Sequence, residues 1–418
     1  MTPEIKQRIE QIRHRNVPEG YKKTKSGIFP EEWKTCLIED CLERVEKPVA
    51  VEMDTMYTQI GIRSHGKGLF YKEPVSGESL GNKSVFWIEP DCFVLNIVFA
   101  WEQAVGKTTA NEIGMIGSHR FPMYRPIANK IDIDYLIMYL LTKRGTDILE
   151  AASPGGAGRN RTLGQDRFMK SKLILPTIAE QQKIAAILTM QDKVIELQQR
   201  MIEEIKKLKK ACLSKMFPRK GKVVPDARFP SFTNAWEQRK FEDITNRTSN
   251  ACKIAGLPRV EYEDVIAGTG TLNKNLDEKK STKAGLAFEQ GDVLFGKLRP
   301  YLKNWLLPDF KGIAVGDWWV LHSNDNDSKF LYYLIQTNSF MDAANLSAGS
   351  KMPRSDWNFV SKTEFAIPRE KSEQQKIGSF FQKLDTAITL HQRKLEEMQK
   401  FKKVLMQLLL TGIVRVKV

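Results

Sequence analysis

Apolar residues recur at seven-residue intervals in two stretches of the chain, residues 180–216 and 373–409. An apolar heptad repeat is the seam of a coiled coil, and most of the remaining residues are Glu, Gln, Lys and Arg, which favour helix formation. Each stretch therefore predicts a long helix, of about 55 Å at 1.5 Å per residue. The positions that keep the spacing are Ile195 and Ile202, Ile205 and Cys212, Ile388 and Leu395, and Met398 and Leu405.

The two stretches are copies of each other. With a shift of 193 positions they align without a gap, and 15 of their 37 residues are identical. Two pairs of polar positions, Gln198 with His391 and Lys209 with Lys402, fall in the apolar seam, where polar residues fix the register of a coiled coil and lower its stability. Two matched copies most simply bury their seams on each other, although an amphipathic helix on a globular core has a similar periodicity.

The repeat extends beyond the helices. Each one is preceded by a short apolar run that ends in proline, LILP at 173–176 and FAIP at 365–368, which suits a strand end followed by a helix start. Trp33 and Trp236 each follow a Phe-Pro turn. The predicted divisions are an N-terminal helical segment (1–29), a first globular domain (30–175), a first long helix (176–216), a linker (217–232), a second globular domain (233–367), and a second long helix with a C-terminal tail (368–418).

Inside the globular domains, short aromatic and β-branched runs alternate with Gly, Pro and Asp turns. This pattern predicts short twisted strands with one or two helices packed on them, an α/β or α+β fold. The best helix candidates are 133–150 and 328–344. The N-terminal segment is expected to form a short helix near the second long helix, which would give the chain a circular pseudo-symmetry.

The net charge of +15 on 418 residues favours a polyanionic partner, with nucleic acid as the leading candidate. No stretch approaches 18 uninterrupted apolar residues, and the N-terminus lacks an apolar secretory core. The five cysteines show no CxxC spacing and are odd in number, which disfavours a disulfide scaffold or a zinc module. A reduced cytoplasm is the expected location.

Motifs of catalysis are weak in this sequence. Gly106-Lys107-Thr108 lacks the first glycine of a phosphate loop, and Gly61–Lys67 is followed by Gly68 instead of a hydroxyl residue. The five histidines are scattered, so no metal or catalytic cluster is predicted. These observations favour a binding protein over an enzyme.

The candidate DNA-contacting residues are basic side chains interleaved with polar and aromatic ones. Arg and Lys bind phosphates or the edges of guanine, and Asn can read adenine. In the first domain they are Arg63, His65, Lys67, Ser118, His119, Arg120, Arg159, Asn160 and Arg161. In the second domain they are Lys297, Arg299, Tyr301, Lys303, Lys351 and Arg354. For any single residue the alternative is a solvated surface charge.

The paired EQQKI helices, each of which closes a variable domain, and the Phe-Pro…Trp-Glu-Gln-Arg-Lys segment at 229–240 resemble the specificity subunit of type I restriction-modification enzymes. The resemblance covers essentially the whole chain, and its most specific element is the duplicated ILP…EQQKI pattern. It implies two pseudo-symmetric target recognition domains separated by two long antiparallel coiled-coil spacer helices. Each domain is then expected to read one half of a bipartite site in double-stranded DNA, while the helices set the gap.

The resemblance also implies partners and a division of labour. Two methyltransferase subunits are expected to dock on the helices and to methylate adenine with S-adenosylmethionine, and separate restriction subunits would supply the motor and the endonuclease. The chain has no Pro-Pro dipeptide, so it lacks the Asn/Asp-Pro-Pro-aromatic motif of an adenine methyltransferase. It is expected to bind no cofactor or metal and to be non-catalytic. The alternatives are a coiled-coil adaptor for RNA or protein, and a solitary DNA-acting enzyme.

Overall fold

The computed structural model describes residues 2–24, 27–81, 83–155, 161–249, 251–252, 256–273, 276, 283–346 and 352–416. The chain forms two compact units: unit 1 contains residues 1–196 and 396–418, and unit 2 contains residues 197–395. Each unit therefore combines one globular domain with the first half of the long helix that follows it and the second half of the other long helix.

Unit 1 contains short strands and short helices ahead of its long helix. Its helices are α1 (Pro3–Arg13), α2 (Gly77–Leu80), α3 (Ile133–Leu140), α4 (Lys143–Ala152), α5 (Gln165–Met169) and the first half of α6 (Ile178–Met216). Its strands are β1 (Tyr21–Thr24), β2 (Gly27–Pro30), β3 (Lys34–Leu37), β4 (Leu42–Val45), β5 (Met56–Tyr57), β6 (Ile60–Ile62), β7 (Leu69–Tyr71), β8 (Val75–Ser76), β9 (Val85–Trp87), β10 (Phe93–Leu95), β11 (Val105–Lys107), β12 (Ile116–Ser118), β13 (Met123–Pro126) and β14 (Lys172–Leu175).

Unit 2 has the same mixture of elements. Its helices are α7 (Phe241–Ile244), α8 (Ser328–Leu334), α9 (Asn338–Asn345), α10 (Trp357–Val360) and the first half of α11 (Lys371–Leu410). Its strands are β15 (Glu237–Lys240), β16 (Thr245–Arg247), β17 (Ala251–Cys252), β18 (Arg259–Val260), β19 (Val265–Ile266), β20 (Thr271–Leu272), β21 (Gly285–Phe288), β22 (Val293–Gly296), β23 (Trp305–Leu306), β24 (Gly312–Ala314), β25 (Trp318–Ser323) and β26 (Glu364–Ile367).

A four-stranded antiparallel sheet with the same topology lies in each unit. The strand order is β11-β10-β13-β4 in unit 1 and β23-β22-β25-β16 in unit 2. Both faces of the sheet are buried. Successive side chains of a strand point to opposite faces, so neighbouring residues join different apolar clusters. In unit 2, for example, Phe295 and Trp319 join the core that includes α8 and α9, whereas Leu294 and Trp318 join a second apolar cluster.

A two-stranded sheet closes the base of each domain. Strand β3 pairs antiparallel with β14, and β15 pairs antiparallel with β26. These pairs hold the start of each domain beside its end, directly before the following long helix. The prediction of a short strand before each proline is therefore confirmed.

The helix candidates at 133–150 and 328–344 are confirmed as helical regions, but neither is one continuous helix. Each region contains two helices, α3 and α4 in unit 1 and α8 and α9 in unit 2. The breaks occur because Thr142 and Thr337 act as N-caps, with side-chain oxygens that accept from the backbone N–H groups of Gly145 at 3.2 Å and Phe340 at 3.3 Å. At the first break the chains are so close that a Cβ on Gly145 would lie 2.2 Å from the Cα of Leu140.

The long helices run antiparallel to each other within each unit. In unit 1, Asp192 pairs with Lys402 while Glu180, further back on α6, pairs with Arg415, which follows the end of α11. Residues earlier in α6 thus pair with residues later in the chain after the middle of α11, so the two helices run in opposite directions. Seam residues of α6 such as Ile184 and Leu188 are fully buried in the core of this unit.

The polar seam positions of unit 2 find partners across the helix pair. Gln198 Nε2 lies 2.7 Å from Nδ1 of His391 and donates to the His391 carbonyl at 3.0 Å. Lys209 pairs with Asp385 at 2.7 Å. Each long helix therefore carries one repeated Asp and one repeated Lys, and it supplies one of them to an ion pair in unit 1 and the other to an ion pair in unit 2.

The repeated Glu-Gln pair that opens each long helix ties the helix to its own unit. Gln181 accepts from the backbone N–H of Asp132 at 3.0 Å, and Gln374 accepts from that of Asp327 at 2.9 Å. Asp132 and Asp327 are the N-caps of α3 and α8. The N-terminus of α3 in unit 1 and the N-terminus of α8 in unit 2 are therefore attached to the start of a long helix by equivalent contacts.

The preceding glutamate forms what we call the carboxylate latch, an ion pair with an arginine that follows the end of the other long helix. In unit 1, Glu180 accepts from Nε and Nη2 of Arg415 at 2.7 and 2.8 Å. In unit 2, Glu373 accepts from Nε and Nη2 of Arg228 at 2.6 and 2.7 Å. This bidentate geometry is the strong form of a charge-assisted hydrogen bond.

The N-terminal helix α1 belongs to unit 1. Arg8 donates to the carbonyl of Ile413 at 2.8 Å, and the Tyr21 hydroxyl donates to the carbonyl of Gly412 at 2.7 Å. Both contacts attach the start of the chain to the segment that follows α11. Among the helical residues that the structure describes, no helix has both the length and the apolarity needed to cross a membrane.

Candidate nucleic-acid interface

Each unit has an equivalent turn after the inner strand of its four-stranded sheet. Residues 96–103, called turn segment 1, follow β10 and contain the 3₁₀ turn Ala100–Glu102; residues 297–303, called turn segment 2, follow β22 and contain the 3₁₀ turn Pro300–Leu302. Both segments end on a residue with left-handed backbone, Gln103 (φ 60°) and Lys303 (φ 58°). Most of the predicted DNA-contacting residues lie around these two segments.

The loop at 63–67, between β6 and β7, is held on turn segment 1. The backbone N–H of His65 donates to the carbonyl of Glu102 at 2.8 Å, and the Ser64 hydroxyl donates to the Glu102 carboxylate at 2.9 Å. His65 has φ 61°, a left-handed conformation that this contact supports. The side chains of His65 and Lys67 remain exposed.

Arg63 in the same loop is exposed but engaged within its hairpin. Its Nη1 donates to the carbonyl of Leu69 at 2.8 Å, and its guanidinium lies 5.1 Å from the centroid of the Phe70 ring. A cation stacked on an aromatic ring is oriented at little cost. Arg63 thus lies against Phe70, which lines the cleft described next.

The predicted cluster at 118–120 borders a cleft of about 290 Å³ beside turn segment 1. The backbone N–H of Ile97 donates to the carbonyl of Arg120 at 3.0 Å, which ties the cluster to the segment. His119 and Arg120 are exposed, and Ser118 is half-buried. The cleft is also lined by residues that the sequence did not single out: Phe70, Lys72 and Phe99.

Arg161 brings the third predicted cluster of unit 1 to the same place. Its guanidinium lies 5.4 Å from the centroid of the Trp101 ring, in turn segment 1. The nearby Leu163 N–H donates to the carbonyl of Ile97 at 2.8 Å. The neighbouring predictions Arg159 and Asn160 lie outside the described residues, as does Lys351 in the second domain.

In unit 2, two predicted cations share one carboxylate. Lys297 Nζ lies 3.6 Å from Oδ1 of Asp317, and Arg354 Nη2 lies 3.1 Å from Oδ2 of the same residue. Leu298 and Arg354 also form an antiparallel β-bridge. Residues 352–354 are thereby attached to turn segment 2, much as Arg161 is attached to turn segment 1.

Arg299 and Lys303 flank the 3₁₀ turn of turn segment 2. Arg299 has φ 50°, and its backbone N–H donates to the carbonyl of Pro353 at 2.8 Å. The Lys303 carbonyl accepts from the N–H of Gly268 at 2.8 Å. Tyr301 and Lys303 are exposed, so the tip of the turn carries an aromatic ring beside a cation.

A second cleft, of about 340 Å³, lies where β22 ends and β25 begins. Its lining includes Lys297, Arg247, Trp318 and Trp319. Sequence reasoning missed Arg247, whose guanidinium lies 4.8 Å from the centroid of the Trp357 ring. Burial lowers the pKa of Arg247 from its ordinary value. No local signal marks this residue, because its aromatic partner lies far away in the sequence.

Each cleft is lined by residues that follow the inner strand of a four-stranded sheet and by residues at or just before the start of the strand paired with it, and each is lined by Lys and Arg. Such a surface can bind phosphates through its cations and contact bases through its rings and polar groups. In the described part of the chain, no three His, Cys, Asp or Glu side chains are grouped so that they could hold a metal ion.

The chain matches the sequence family described as "Type I restriction modification DNA specificity domain" over residues 90–207 and 234–400. It is similar to the type I restriction enzyme MjaVIII specificity subunit of Methanocaldococcus jannaschii, with 24% identity over 430 residues, 96% of this chain and 97% of that protein.

Solved structures share the fold. The HsdS subunit from Thermoanaerobacter tengcongensis is 14% identical, with a TM-score of 0.50 over 92% of this chain and 98% of that one. The S subunit of a type I restriction-modification system from M. genitalium is also 14% identical, with a TM-score of 0.54 over 92% of this chain and 97% of that one. Because the family match spans more than half of the chain and both of its repeats, the chain belongs to the family of type I restriction-modification DNA specificity subunits.

Proposed function

We propose that the two units each read one half of a bipartite site in double-stranded DNA. The observation that carries this proposal is that each unit has a cleft lined by Lys and Arg beside the turn segment that follows its inner strand. The net charge of +15 suits the phosphate backbone. The two clefts differ in their side chains, as expected of two domains that read different bases.

Around each turn segment, the cations that already have a protein partner and those that are exposed on loops are expected to differ in role. Lys297 and Arg354 already share Asp317, so their remaining N–H groups are oriented before DNA arrives. Oriented cations are the better candidates for base edges, because base reading depends on geometry. Lys67 and Lys303 are exposed on loops and are the better candidates for phosphates.

We expect Arg299→Ala and Arg161→Ala to weaken DNA binding, each through one half-site. A lost bidentate base contact lowers discrimination by about 1–3 kcal/mol at that half-site. A lost phosphate contact weakens binding to all sequences alike and reduces the salt slope by about 1. Binding to specific and scrambled duplexes across a salt series distinguishes the two. The control is Arg13→Ala on α1, which removes the same charge away from the turn segments. If neither Arg299→Ala nor Arg161→Ala weakens binding more than this control does, the assignment is wrong.

We also propose that methyltransferase subunits dock on the long helices. Large apolar residues are exposed at positions that immediately precede seam positions. These residues are Ile187, Met190, Val194, Phe401 and Val404 in unit 1, and Leu197, Met201, Leu208 and Leu390 in unit 2. Adjacent helical residues are separated by about 100°, so these positions form one exposed flank beside the seam of each helix.

Because antiparallel helices with the same seam positions are related by a two-fold axis perpendicular to both, these flanks lie on the same side of the helix pair within each unit. Exposed apolar surface of this kind marks an interaction site. Each unit thus offers one apolar face, which supports two docked methyltransferase subunits. S-adenosylmethionine would be bound by those subunits, and restriction subunits would join the assembled complex.

We expect the purified chain alone to transfer no methyl groups, and methylation to appear when a methyltransferase subunit and S-adenosylmethionine are added.

Leu197→Glu combined with Phe401→Glu should abolish assembly, because a charge buried in an interface without a partner costs several kcal/mol. Gln199→Glu adds a charge on the opposite flank of the seam and serves as the control.

The outcome that contradicts docking is a normal complex with the doubly substituted chain at wild-type helix content. Methylation or cleavage by the chain alone would instead favour a solitary enzyme. Retention of site-specific DNA binding by the partner subunits without this chain would favour an adaptor.

A further inference from the structure

The tip of turn segment 2 exposes two large apolar side chains side by side. Tyr301 is 53% exposed and Leu302 is 42% exposed, whereas Pro300 before them is buried. An exposed apolar residue on its own is ordinary. Two neighbouring ones at the tip of a sharp turn, close to the cations Lys303 and Arg354, form a candidate contact surface.

The backbone holds this tip in a strained and defined conformation. Arg299 and Lys303, on either side, both have left-handed backbone, with φ 50° and 58°. For residues other than glycine this conformation costs about 1 kcal/mol or more each. It is supported by the hydrogen bonds to Pro353 and Gly268, both of 2.8 Å, and by the fixed φ of Pro300. The surrounding structure thus stabilises a projecting tip.

The equivalent turn in unit 1 is used differently. The Glu102 carbonyl and carboxylate bind the 63–67 loop. The Trp101 indole donates to the carbonyl of Val98 at 3.1 Å and lies under the Arg161 guanidinium. The 3₁₀ turn of unit 1 is therefore engaged by its surroundings, and it is preceded by Phe99 with φ −124°, where unit 2 has Arg299 with φ 50°. The exposed apolar tip is a property of unit 2 and does not follow from the shared fold.

We propose that Tyr301 and Leu302 form a wedge that enters a groove of the DNA and inserts against one base-pair step of the half-site read by unit 2. The inference rests on the proposed DNA-reading function. The half-buried Arg299 and the exposed Lys303 flank the wedge with positive charge, an arrangement complementary to the phosphates on either side of a base step. Apolar side chains that insert in this way partly unstack the step and bend the duplex, which adds sequence preference through the ease of unstacking.

The test uses the full chain and duplexes that carry its methylated site, with 2-aminopurine placed singly at each adenine position. We expect the wild-type chain to raise the fluorescence at one position of one half-site only. Tyr301→Ala combined with Leu302→Ala should abolish this rise and weaken specific binding by about tenfold to a hundredfold, with an unchanged salt slope. Tyr301→Phe should retain both the fluorescence rise and the specific affinity. Lys303→Ala should lower the salt slope of binding and keep the fluorescence rise. Phe359→Ala, an exposed aromatic residue elsewhere in unit 2, is the control.

Wild-type fluorescence and affinity in the Tyr301/Leu302 double variant would overturn the wedge while leaving DNA reading by unit 2 intact. Failure of the proposed function would look different, since the wild-type chain itself would then not discriminate its site from scrambled DNA. Loss of methyltransferase assembly in the double variant, with the fluorescence rise intact, would also overturn the wedge and identify the tip as a protein contact.

Discussion

We expect Arg228→Ala to lower the free energy of unfolding of unit 2 by about 3–5 kcal/mol, because removal of one partner leaves the other as an uncompensated buried charge. Glu373 is 1% exposed. Its oxygens accept from Nε and Nη2 of Arg228 at 2.6 and 2.7 Å and from Nε1 of Trp236 at 3.2 Å. The hydrogen bonds to Glu373 also raise the pKa of Arg228.

Hydrogen exchange measured by mass spectrometry gives the stability of unit 2 separately from that of unit 1. The matched control is Arg219→Ala, which breaks the exposed pair with Asp226 at 2.7 Å and should change stability by about 1 kcal/mol or less. If the two variants are equally stable, the carboxylate latch does not hold unit 2 together, and the recurrence of the helix-opening glutamate needs another explanation.

We expect a four-residue insertion in both long helices, after Glu196 and after Leu395, to lengthen the gap between the half-sites by one or two base pairs. Four helical residues add about 6 Å, and DNA rises about 3.4 Å per base pair along each strand. These positions are the boundaries of the two compact units, so the contacts inside each unit stay intact. The bases read within each half-site should therefore remain the same.

The control is an insertion between Leu208 and Cys212 in α6 alone. It displaces Lys209 from Asp385 inside unit 2, and a four-residue insertion also unwinds a heptad seam locally. We expect this variant to lose stability rather than to acquire a new gap. Methylated sites mapped for each variant give the gap directly. An unchanged gap with full activity would show that the helices do not set the spacing.

The long helices could be predicted from sequence because their signal is local and periodic. The polar seam positions were also predictable as positions, but the ion pair of Lys209 with Asp385 depends on which residues face each other in an antiparallel register. The break at Thr142 was missed because apolar periodicity continues through it. A capping threonine and a close approach at Gly145 outweighed that periodicity.

The candidate interface was predictable in part. Clusters of basic residues are visible in a sequence, so Arg120 and Lys297 could be proposed. Their convergence on the turn segments depends on strand pairings between distant parts of the chain. Arg247 was missed because its cleft is assembled from such distant segments, and its stacking on Trp357 has no sequence signature.

If each unit reads its own half of a bipartite site, substitutions in one unit should change only one half of the motif. The measurement is methylation-aware sequencing of DNA modified by this chain with its methyltransferase, for the wild-type chain and for a variant that combines Arg247→Ala and Lys297→Ala. We expect a two-part motif with a fixed gap, of which the variant relaxes one half and leaves the other unchanged. A single continuous motif, or a variant in which both halves relax together, would contradict it.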